Sequence, residues 1–329
     1  MDSPFISCDW GTSSFRLRLI TGDDFEIKQE IIRDQGIKDV FNSLSIKGQH
    51  ERDEAFALVL GNATDELIEA NPEAKTLPVM LSGMASSSIG WQELPYGTLP
   101  FSLTGRDAVS TNLNLVTPKE HSLNVLLISG IASDTEIMRG EECELIGIAT
   151  IPDFQPLLEN CQIILPGTHS KHVDVKEKKI VNFQTSMTGE LFDTISHHTI
   201  LSSSVGPVIE TGNSEPEISE LAFAEGVKTV ISNGLIRSLF QVRTRSVIQK
   251  KTNTENRSFL SGLLIGEELA SLKGQPNPIL LAASHKFSHA YQLAFKIIGL
   301  NDRLHSVPSH FVSQAAIRGQ ATLQRHLND

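Results

Sequence analysis

The first thirty residues alternate between apolar and polar positions in a way that predicts three β-strands. Residues 4–9 are mostly apolar, residues 15–20 alternate apolar with basic side chains, and residues 25–32 favour a third strand. A two-residue period is typical of a half-buried strand. We therefore expect an antiparallel strand-turn-strand-strand opening. A dinucleotide-binding fold would instead place a helix directly after the first glycine-rich turn.

The pattern then changes to one of alternating helices and buried strands. Residues 51–69 repeat apolar positions at helical spacing and stop at an Asn-Pro pair, which predicts a helix. Continuous apolar runs predict buried strands at 78–81 and 124–129, and residues 136–148 have helical character.

From residue 162 the same order of elements begins again. A short apolar strand at 163–165 leads into a small-residue turn at 166–170, followed by candidate strands at 171–175 and 179–184 and a helix at 188–201. A repeated order is informative even where the two halves share negligible sequence identity. The rest of the chain predicts strands at 279–283 and 304–307 and helices at 217–233, 234–248, 259–272, 285–298 and 309–327.

Length and charge narrow the class of protein. A chain of 329 residues is more than one core usually supports, so we expect two domains, at 1–150 and 151–329. The formal net charge of -11 argues against a nucleic-acid surface, which would show basic clusters. Anionic substrates would then be bound by a few placed cations and backbone amides.

The cysteines and the hydropathy of the chain bear on its location. Cys8, Cys143 and Cys161 are odd in number, widely spaced and without the spacing of a metal site, which fits a reducing cytosol. No apolar run approaches the roughly 20 residues of a membrane helix, and a strand is expected too early for a signal peptide. We expect a soluble, cytoplasmic protein with no nucleic-acid or membrane partner, and leave open whether it is a homodimer.

The first turn carries residue types suited to phosphate chemistry. Gly11, Thr12 and Ser13 follow directly on the first strand, and such a turn can approach a phosphate closely with its amides and hydroxyls. Asp9, at the end of the strand, is placed to hold Mg²⁺ directly or through water. Arg16 could return over a phosphoryl group or a substrate carboxylate. An ordinary hairpin turn is the alternative.

The second turn repeats this chemistry. Gly167, Thr168 and His169 follow a strand, and Lys171 supplies a cation just beyond them. One such turn alone is a weak signal. Two in equivalent places of two similar halves predict a phosphate grip contributed by each domain to a cleft between them.

Several motifs of the chain resemble those of the 2-dehydro-3-deoxygalactonokinase family. They keep the family's order over nearly the full length: DWGTSSFR at 9–16, GM at 83–84, SIGW at 88–91, MRGEE at 138–142, LPGTHSK at 165–171, TGEL at 188–191 and FLSGLLIGE at 259–267. The resemblance implies an α/β fold of the hexokinase/actin-like superfamily. Its two ribonuclease H-like domains would have mixed five-stranded sheets flanking a nucleotide cleft.

The resemblance also implies a reaction and a division of labour. The family uses ATP and Mg²⁺ to phosphorylate the terminal 6-hydroxyl of 2-dehydro-3-deoxy-D-galactonate. The N-terminal domain would carry the first phosphate motif and the sugar-acid pocket. The C-terminal domain would carry the second phosphate motif and the adenosine site.

An acidic residue often begins the superfamily's connecting helix and acts in catalysis. Glu141, or Glu142 as its substitute, stands at that place here. A carboxylate beside the acceptor hydroxyl would orient it and take its proton during phosphoryl transfer. The alternative is a solvated acidic first turn that favours the helix dipole.

Further residues are candidates for binding the sugar acid. Arg16, Arg139 and the serine loop with Ser86 and Ser87 could donate to its carboxylate and keto groups, arginine being favoured for a bidentate grip. Two more candidates have equally simple alternatives. Trp91 could wall the pocket or pack in the core, and Glu190 could bind a substrate hydroxyl or belong to a capped helix start.

Two positions depart from the family pattern. Family members tend to have Ala-Gly-Ser where this chain has Ala282, Ala283 and Ser284, so adenosine binding at Ala283 and Ser284 would be altered if the turn required a positive φ. His172 stands where the family often has Trp. Two alternatives therefore stay open: a kinase for another sugar or keto-deoxy acid, and a sugar- or nucleotide-binding regulator without turnover.

Overall fold

The alternating pattern at the start of the chain forms the expected strands. The computed structural model describes residues 4–22, 24–44, 48–207 and 218–328. The chain divides into two units. The first comprises Met1–Glu159, Lys176–Asn182 and Ser313–Asp329, and the second comprises Asn160–Val175 and Phe183–Val312.

The described residues of the first unit form ten strands and three helices before the chain enters the second. The strands are β1 Phe5–Trp10, β2 Phe15–Thr21, β3 Glu26–Arg33, β4 Val79–Gly83, β5 Gly97–Thr98, β6 Phe101–Ser102, β7 Ser110–Val116, β8 Ser122–Ile128, β9 Ile131–Ala132 and β10 Ile137–Met138. The helices are α1 Ile37–Ser43, α2 Gln49–Ala70 and α3 Glu141–Ala149.

The main sheet of the first unit has the order β3-β2-β1-β4-β8-β7. β1 and β2 are antiparallel, as are β2 and β3, whereas β1, β4 and β8 run parallel. The predicted α/β fold with mixed sheets of ribonuclease H-like order is confirmed. The predicted count of five strands is wrong, because β7 adds a sixth at the edge. β7 buries only Leu115, so its sequence lacks the apolar alternation that reveals a strand.

The core of the first unit fixes the end of β1. Trp10 is fully buried and lies edge-on to Phe15 and Phe56, with ring centroids 5.0 and 5.4 Å apart. Its indole Nε1 donates a hydrogen bond of 3.0 Å to the carbonyl of Gln35. A buried indole whose N–H is paired holds the backbone at this position in place.

The remaining strands and helices lie mostly in the second unit, but residues 176–182 of β12 and β13 and most of α11 belong to the first. The strands are β11 Asn160–Leu165, β12 Ser170–Lys176, β13 Lys179–Ser186, β14 Ile279–Leu281 and β15 Leu304–Ser306. The helices are α4 Thr188–His198, α5 Ser202–Val205, α6 Glu220–Asn233, α7 Leu235–Leu239, α8 Gln241–Val247, α9 Asn253–Ala270, α10 His285–Ile298 and α11 Ser309–Asn328. Residue 217, where the predicted helix 217–233 would begin, lies outside the described residues.

The second sheet has the order β15-β14-β11-β12-β13, with β6 as a sixth strand. β11 runs parallel to β14, and β14 runs parallel to β15. β6 pairs at the start of β13, where Lys179 lies opposite Ser102. A count of five strands is therefore wrong here as well, because a two-residue strand gives no sequence signal of its own.

The end of α11 belongs to the first unit and packs on α3. A Cβ at Gly319 would lie 1.9 Å from the carbonyl oxygen of Cys143, so the two helix backbones approach closely. The fully buried Gln320 donates from Nε2 to the carbonyl of Cys8 at 3.1 Å and to Ser82 Oγ at 2.9 Å. The last helix therefore braces β1 and β4, the two strands that end beside Asp9.

None of the helices in the described part of the chain combines the length and apolarity that a membrane span needs.

Candidate active site

Asp9 lies near the carboxyl end of β1, between two neighbouring strands. It is opposite Arg16 on β2 and Ser82 on β4. Although 40% of its side chain is accessible, the loss of solvation by surrounding protein raises the pKa of Asp9, and the positive charges of Arg16 and Arg18 oppose the rise. The Arg16 guanidinium lies 4.0 Å from the carboxylate. A carboxylate in this setting gains from a cation bound beside it.

The turn after β1 combines paired carbonyls with two open amides. Gly11 donates from its amide to the carbonyl of Ser14 at 2.9 Å, which closes the turn. The carbonyls of Gly11 and Thr12 accept hydrogen bonds of 3.0 and 3.1 Å from the first two amides of α1. Among the described residues, nothing accepts from the amides of the exposed Thr12 and Ser13. Such amides can bind an anion such as phosphate.

Gly36, just before α1, lets this helix approach the turn. A Cβ at Gly36 would lie 2.2 Å from the carbonyl oxygen of Thr12 and 2.4 Å from the amide nitrogen of Ser13. Its φ of -73° is open to any residue, so space and not conformation requires glycine here. The backbone of the turn is thus pressed against the start of α1.

The second unit repeats this arrangement at its own turn. A Cβ at Gly189, the second residue of α4, would lie 2.6 Å from the carbonyl oxygen of Gly167 and 2.7 Å from the Cα of Thr168. The amide of Glu190 donates to the carbonyl of Thr168 at 3.1 Å. In each unit, therefore, a glycine at the start of the helix after the third strand lies against the turn between the first two.

The side chains around the second turn have different environments. His169 Nε2 lies 2.5 Å from Glu190 Oε2, and both side chains are about half exposed. Lys171 is buried, with 4% of its surface exposed, and donates to Thr185 Oγ1 at 3.2 Å. The turn and Glu190 thus lie together, whereas Lys171 extends into the protein interior.

The start of α3 gathers carboxyl groups. Glu141 accepts a hydrogen bond of 3.1 Å from the amide of Arg139, and Glu142 accepts one of 2.6 Å from the amide of Gly140. Glu142 is 1% exposed, and burial, with the charge of Glu141, raises its pKa to about 8. Burial, followed by the charges of Glu141, Asp9 and Glu142, also raises the pKa of Glu144 to about 8.

Close backbone contacts bring the start of α3 beside Asp9. A Cβ at Gly140 would lie 3.5 Å from the Cα of Gly83, at the end of β4. A Cβ at Gly83 would in turn lie 2.7 Å from the carbonyl oxygen of Trp10 and 3.4 Å from Asp9 Oδ1. Asp9, the first turn and the acidic start of α3 therefore share one edge of the first sheet.

The raised pKa of Glu142 predicts how stability depends on pH. The group is protonated in the folded state up to about pH 8, whereas its ordinary pKa is near 4.5. Its contribution to stability is thus fully present below pH 4.5 and is lost as pH rises towards 8. We expect Glu142→Gln to stabilise the protein at pH 8 by roughly 4 kcal/mol and to have little effect at pH 4.5.

Thermal unfolding between pH 4.5 and 8.5 measures this difference. Glu66→Gln, on the exposed face of α2, is the matched control and should leave the pH dependence unchanged, because its partner Arg33 keeps its charge throughout this range. A Glu142→Gln curve parallel to that of the wild type would show that Glu142 ionises normally in the fold.

Arg139 is held by the protein itself. Its Nη1 donates to the carbonyl and hydroxyl oxygens of Ser86 at 2.5 and 2.7 Å, and its Nε donates to Tyr96 Oη at 3.0 Å. The guanidinium also lies 3.9 Å from the centroid of the Tyr96 ring. These contacts support a role in fixing the serine loop rather than a bidentate grip on a ligand.

Of the other residues predicted to bind the substrate, Ser86, Ser87 and Trp91 are buried and Arg16 is partly exposed. Ser86 is fully buried, and Ser87 is 5% exposed and donates to the carbonyl of Met84 at 2.7 Å. Trp91, 5% exposed, lies in the same hydrophobic cluster as Trp10, so its burial supports the core-packing alternative. Arg16 keeps 39% of its side chain exposed, which leaves it accessible to a ligand.

The predicted adenosine residues lie at the carboxyl edge of the second sheet. The amide of Ala282 donates to the carbonyl of Ile164 at 2.9 Å, and Ser284 stands at the N-cap position of α10 with an extended backbone, φ -60° and ψ 160°. Neither Ala282 nor Ala283 has a positive φ. The turn therefore does not require the positive φ that alanine would disfavour, because its backbone adopts a conformation open to any residue.

Several residues that pack against the two turns or beside Asp9 were not predicted from the sequence. Gly36 and Gly189 stand three residues after the third strand of their units, and this equal spacing was a usable signal. Glu144 lies one helical turn from Glu141, so the 3.6-residue period could have added it to the acidic group. Gln320 gave no signal, since nothing local marks a contact across more than 300 residues.

The acidic residues around Asp9 bear on metal binding. Among the described residues, no group of three or more His, Cys, Asp or Glu side chains is arranged to hold a metal ion. Mg²⁺ in phosphoryl-transfer sites usually takes one or two carboxylates, several waters and the substrate phosphates. An accessible Asp9 near other carboxyl groups fits that pattern.

Comparison with known proteins agrees with the motifs and the fold. The model of the 2-keto-3-deoxy-galactonokinase family matches residues 9–322. The chain is 29% identical to the 2-dehydro-3-deoxygalactonokinase of Escherichia coli K12, over 98% of both chains. It is 30% identical to a Rhizobium meliloti protein named as a probable enzyme of this kind, over 91% of both chains.

A solved structure gives the same result. The crystal structure of a Sinorhizobium meliloti protein, described as a candidate 2-dehydro-3-deoxygalactonokinase, superposes with a TM-score of 0.75. It is 29% identical in sequence, and the match covers 98% of this chain and 99% of that one. The resemblance found in the sequence motifs is confirmed: the chain belongs to the 2-keto-3-deoxy-galactonokinase family of sugar-acid kinases, which are ATP-using phosphotransferases.

Proposed function

We propose that this kinase transfers the γ-phosphoryl group of ATP to the 6-hydroxyl of 2-dehydro-3-deoxy-D-galactonate. The products are 2-dehydro-3-deoxy-6-phosphogalactonate and ADP, within galactonate degradation. The observation that carries the proposal is the convergence of Asp9, the open amides of Thr12 and Ser13, and Glu141 at one edge of the first sheet. Phosphoryl transfer needs a cation holder, a phosphate grip and a base, and these residues supply the three functions.

Glu141 is the base in this proposal, and Glu142 supports it. Glu142 is 1% exposed and accepts from the amide of Gly140 and, at 3.5 Å, from the Cys143 thiol. With a pKa of about 8 it is mostly protonated at neutral pH, so it cannot readily accept a proton. Glu141 is half-buried at the first position of the helix, where an acceptor hydroxyl could reach it. Its carboxylate would orient that hydroxyl and take its proton.

The phosphate groups of ATP would be bound by the turns. In the first unit the donors are the amides and hydroxyls of Thr12 and Ser13, and in the second unit the turn at Gly167, Thr168 and His169 offers the same chemistry. Mg²⁺, held by Asp9 directly or through water, would neutralise charge on the transferring group. Lys171 and the adenosine residues Ala283 and Ser284 complete the proposed nucleotide site.

The sugar acid would be bound mainly by the first unit. Arg16 is the accessible cation beside Asp9 and is the proposed partner of the substrate carboxylate. Arg139, Ser86 and Ser87 would shape the pocket through their mutual contacts, and Glu190 of the second unit remains a candidate for a substrate hydroxyl. We also propose a cytoplasmic location, which suits the three buried, unpaired cysteines.

ADP release, measured by a coupled assay, tests the proposal. The purified protein would be given MgATP with 2-dehydro-3-deoxy-D-galactonate and, separately, a panel of other keto-deoxy acids and hexoses. The highest kcat/KM with the galactonate derivative, and a product phosphorylated at O6 by NMR, would support the assignment. A better substrate in the panel would reassign the specificity, and sugar binding by calorimetry without ADP release with any substrate would favour a regulator.

The contact of Gly36 with the first turn gives a prediction for ATP. An added Cβ at this position must displace the backbone of Thr12 and Ser13, and overpacking of this kind costs about 1–3 kcal/mol. We expect Gly36→Ala to raise the KM for ATP by roughly tenfold or more, with a smaller change in the KM for the sugar acid.

Gly48→Ala is the matched control for this change. Gly48 caps α2 with the same φ of -73°, and the atoms that its Cβ would meet within 4 Å belong to the flexible side chain of Glu51. The control should leave the KM for ATP unchanged. Equal effects of the two substitutions would indicate a general loss of helix capping rather than displacement of the turn.

A further inference from the structure

A buried carboxylate lies behind the second turn. Glu268, near the end of α9, has a fully buried side chain that accepts from three different elements. Tyr291 Oη of α10 donates to it at 2.8 Å, Thr188 Oγ1 at the start of α4 also donates to it, and His172 Nε2 of β12 lies at 2.9 Å. β12 begins directly after the turn and the start of α4 lies against it, whereas α10 reaches it through the contact of Tyr291 with Ser170.

In the hydrogen bonds that link Glu268 to Tyr291 and Tyr291 to Ser170, the donor and the acceptor can each be assigned. A phenol has a single hydrogen, and Tyr291 uses it on Glu268. In its contact of 3.0 Å with Ser170 Oγ, therefore, the serine is the donor. Ser170 Oγ can then only accept from the amide of Gly167, which lies at 3.3 Å. The chain runs from Gly167 through Ser170 and Tyr291 to Glu268.

The hydrogen-bond partners of Glu268 lie next to the second turn rather than on its own helix, α9. Ser170 and His172 are two residues apart on β12, so their side chains share one face of the strand. The start of α4, which Thr188 ties to Glu268, carries the Gly189 backbone that lies against Gly167 and Thr168. Two routes therefore connect the turn to the Glu268 carboxylate. One runs through the hydrogen bonds of Ser170 and Tyr291, and the other runs through Thr188 at the start of α4.

Burial of a carboxylate weighs against a purely stabilising role. Desolvation of such a group costs several kcal/mol, and an apolar side chain of similar size is often no less stable when it replaces a buried charge with all its partners. What an apolar residue could not do is fix the direction of the Ser170 and Thr188 hydroxyls. Oriented hydroxyls hold the amide of Gly167, and with it the next two amides, in one arrangement.

We infer that Glu268 is a positioning residue for nucleotide binding: through Tyr291 and Ser170, and through Thr188, it fixes the second turn in the conformation that receives ATP phosphate. The inference rests on the proposed function in one respect, which is that this turn binds phosphate. Glu268 itself contacts Tyr291, Thr188 and His172 and acts on the nucleotide only through them.

The two tyrosines of the chain provide a matched test. Tyr291→Phe removes one oxygen and breaks the chain between Ser170 and Glu268. Tyr96→Phe removes one oxygen from the partner of Arg139 in the first unit. We expect Tyr291→Phe to raise the KM for ATP and the Kd for ADP about tenfold, with kcat and the KM for the sugar acid within about twofold. Tyr96→Phe should leave both nucleotide constants within about twofold.

Substitution of Glu268 itself separates positioning from stability. Glu268→Gln keeps a carbonyl oxygen for Tyr291 and Thr188 and can donate to His172 in its other tautomer, so it should retain nucleotide binding. Glu268→Leu keeps the volume without the oxygens, so it should lose at least tenfold in ADP affinity. Should either buried variant fail to fold, Ser170→Ala breaks the same chain at its other end and is judged by the same constants.

ADP titration by calorimetry distinguishes the possible failures. A wild-type protein that neither binds ADP nor releases it from ATP would overturn the proposed function. A wild type that binds ADP, with Tyr291→Phe, Ser170→Ala and Glu268→Leu binding it equally well, would overturn this inference alone. A lower melting temperature of these variants with unchanged nucleotide constants would show that the carboxylate only stabilises the fold, which also contradicts the inference.

Discussion

Glu141→Gln is expected to lower kcat by about two to four orders of magnitude, which is the usual contribution of a positioned general base. Glutamine has nearly the shape of glutamate and can still accept the hydrogen bond from the amide of Arg139, so the start of α3 should keep its conformation. It cannot take the proton of the acceptor hydroxyl. The KM values for ATP and the sugar acid should therefore change only a few-fold. Steady-state rates of ADP release give these constants directly.

Glu142→Gln is the control that identifies the base. Since Glu142 is buried and mostly protonated at neutral pH, its amide form should keep kcat within a few-fold of the wild type. A large loss of kcat in Glu142→Gln with little loss in Glu141→Gln would exchange the two assignments. If both variants kept full activity, the acidic start of α3 would act only on the helix dipole.

Asp9→Asn is expected to lower kcat/KM by roughly two orders of magnitude or more, because a metal ion contributes several kcal/mol of charge stabilisation to such a transition state. The amide keeps the shape of the side chain but loses the charge that attracts Mg²⁺. Rates measured across a range of Mg²⁺ concentrations should show a weaker dependence on the metal and partial recovery at high concentration. Binding of ADP without metal should change little.

Glu30→Gln tests whether any loss comes only from the ion pair with Arg16. The Glu30 carboxylate lies 3.8 Å from the Arg16 Nε, comparable to the 4.0 Å between Asp9 and the Arg16 Nη1. It is therefore a matched acidic neighbour of the same arginine. Full activity of Glu30→Gln with a defect in Asp9→Asn would support metal binding, whereas equal defects would point to the placement of Arg16.

The strands that lead into both turns could be predicted because their signal is local. Residues 15–20 alternate apolar with polar side chains, and the structure places β2 over Phe15–Thr21 with the same alternation of burial. β7 could not be predicted in this way. As an edge strand it buries little, so its sequence carries almost no periodic constraint.

The division of residues 234–248 into α7 and α8 was also missed. The two helices meet at Phe240, which is 59% exposed, so the apolar pattern that suggested one helix includes residues outside the core. Apolar spacing predicts which residues can share a helix face, but it does not report whether that face is covered.

For the candidate site residues, the sequence predicts the residue type but not whether the side chain is available to a ligand. The types at Asp9 and Gly11 follow from the chemistry of a phosphate-binding turn, and Glu141 follows from the family resemblance; the fold brings all three to one edge of a sheet. Arg139 was equally suitable by type, yet its guanidinium is already engaged by Ser86 and Tyr96. Whether a cation is available to a ligand depends on contacts between residues distant in sequence, and one sequence does not contain that information.

The return of α11 to the first unit bears on how the protein is made. Domains usually fold in order as the chain leaves the ribosome, the N-terminal one first. Here β1, which ends beside Asp9, gains the buried contact of Gln320 only after about 300 further residues have been synthesised. At a typical rate of about 5–20 residues per second, that wait is on the order of 15–60 s. During translation the core of the first unit therefore stays incomplete, with the faces of α3, β1 and β4 that α11 later covers still exposed.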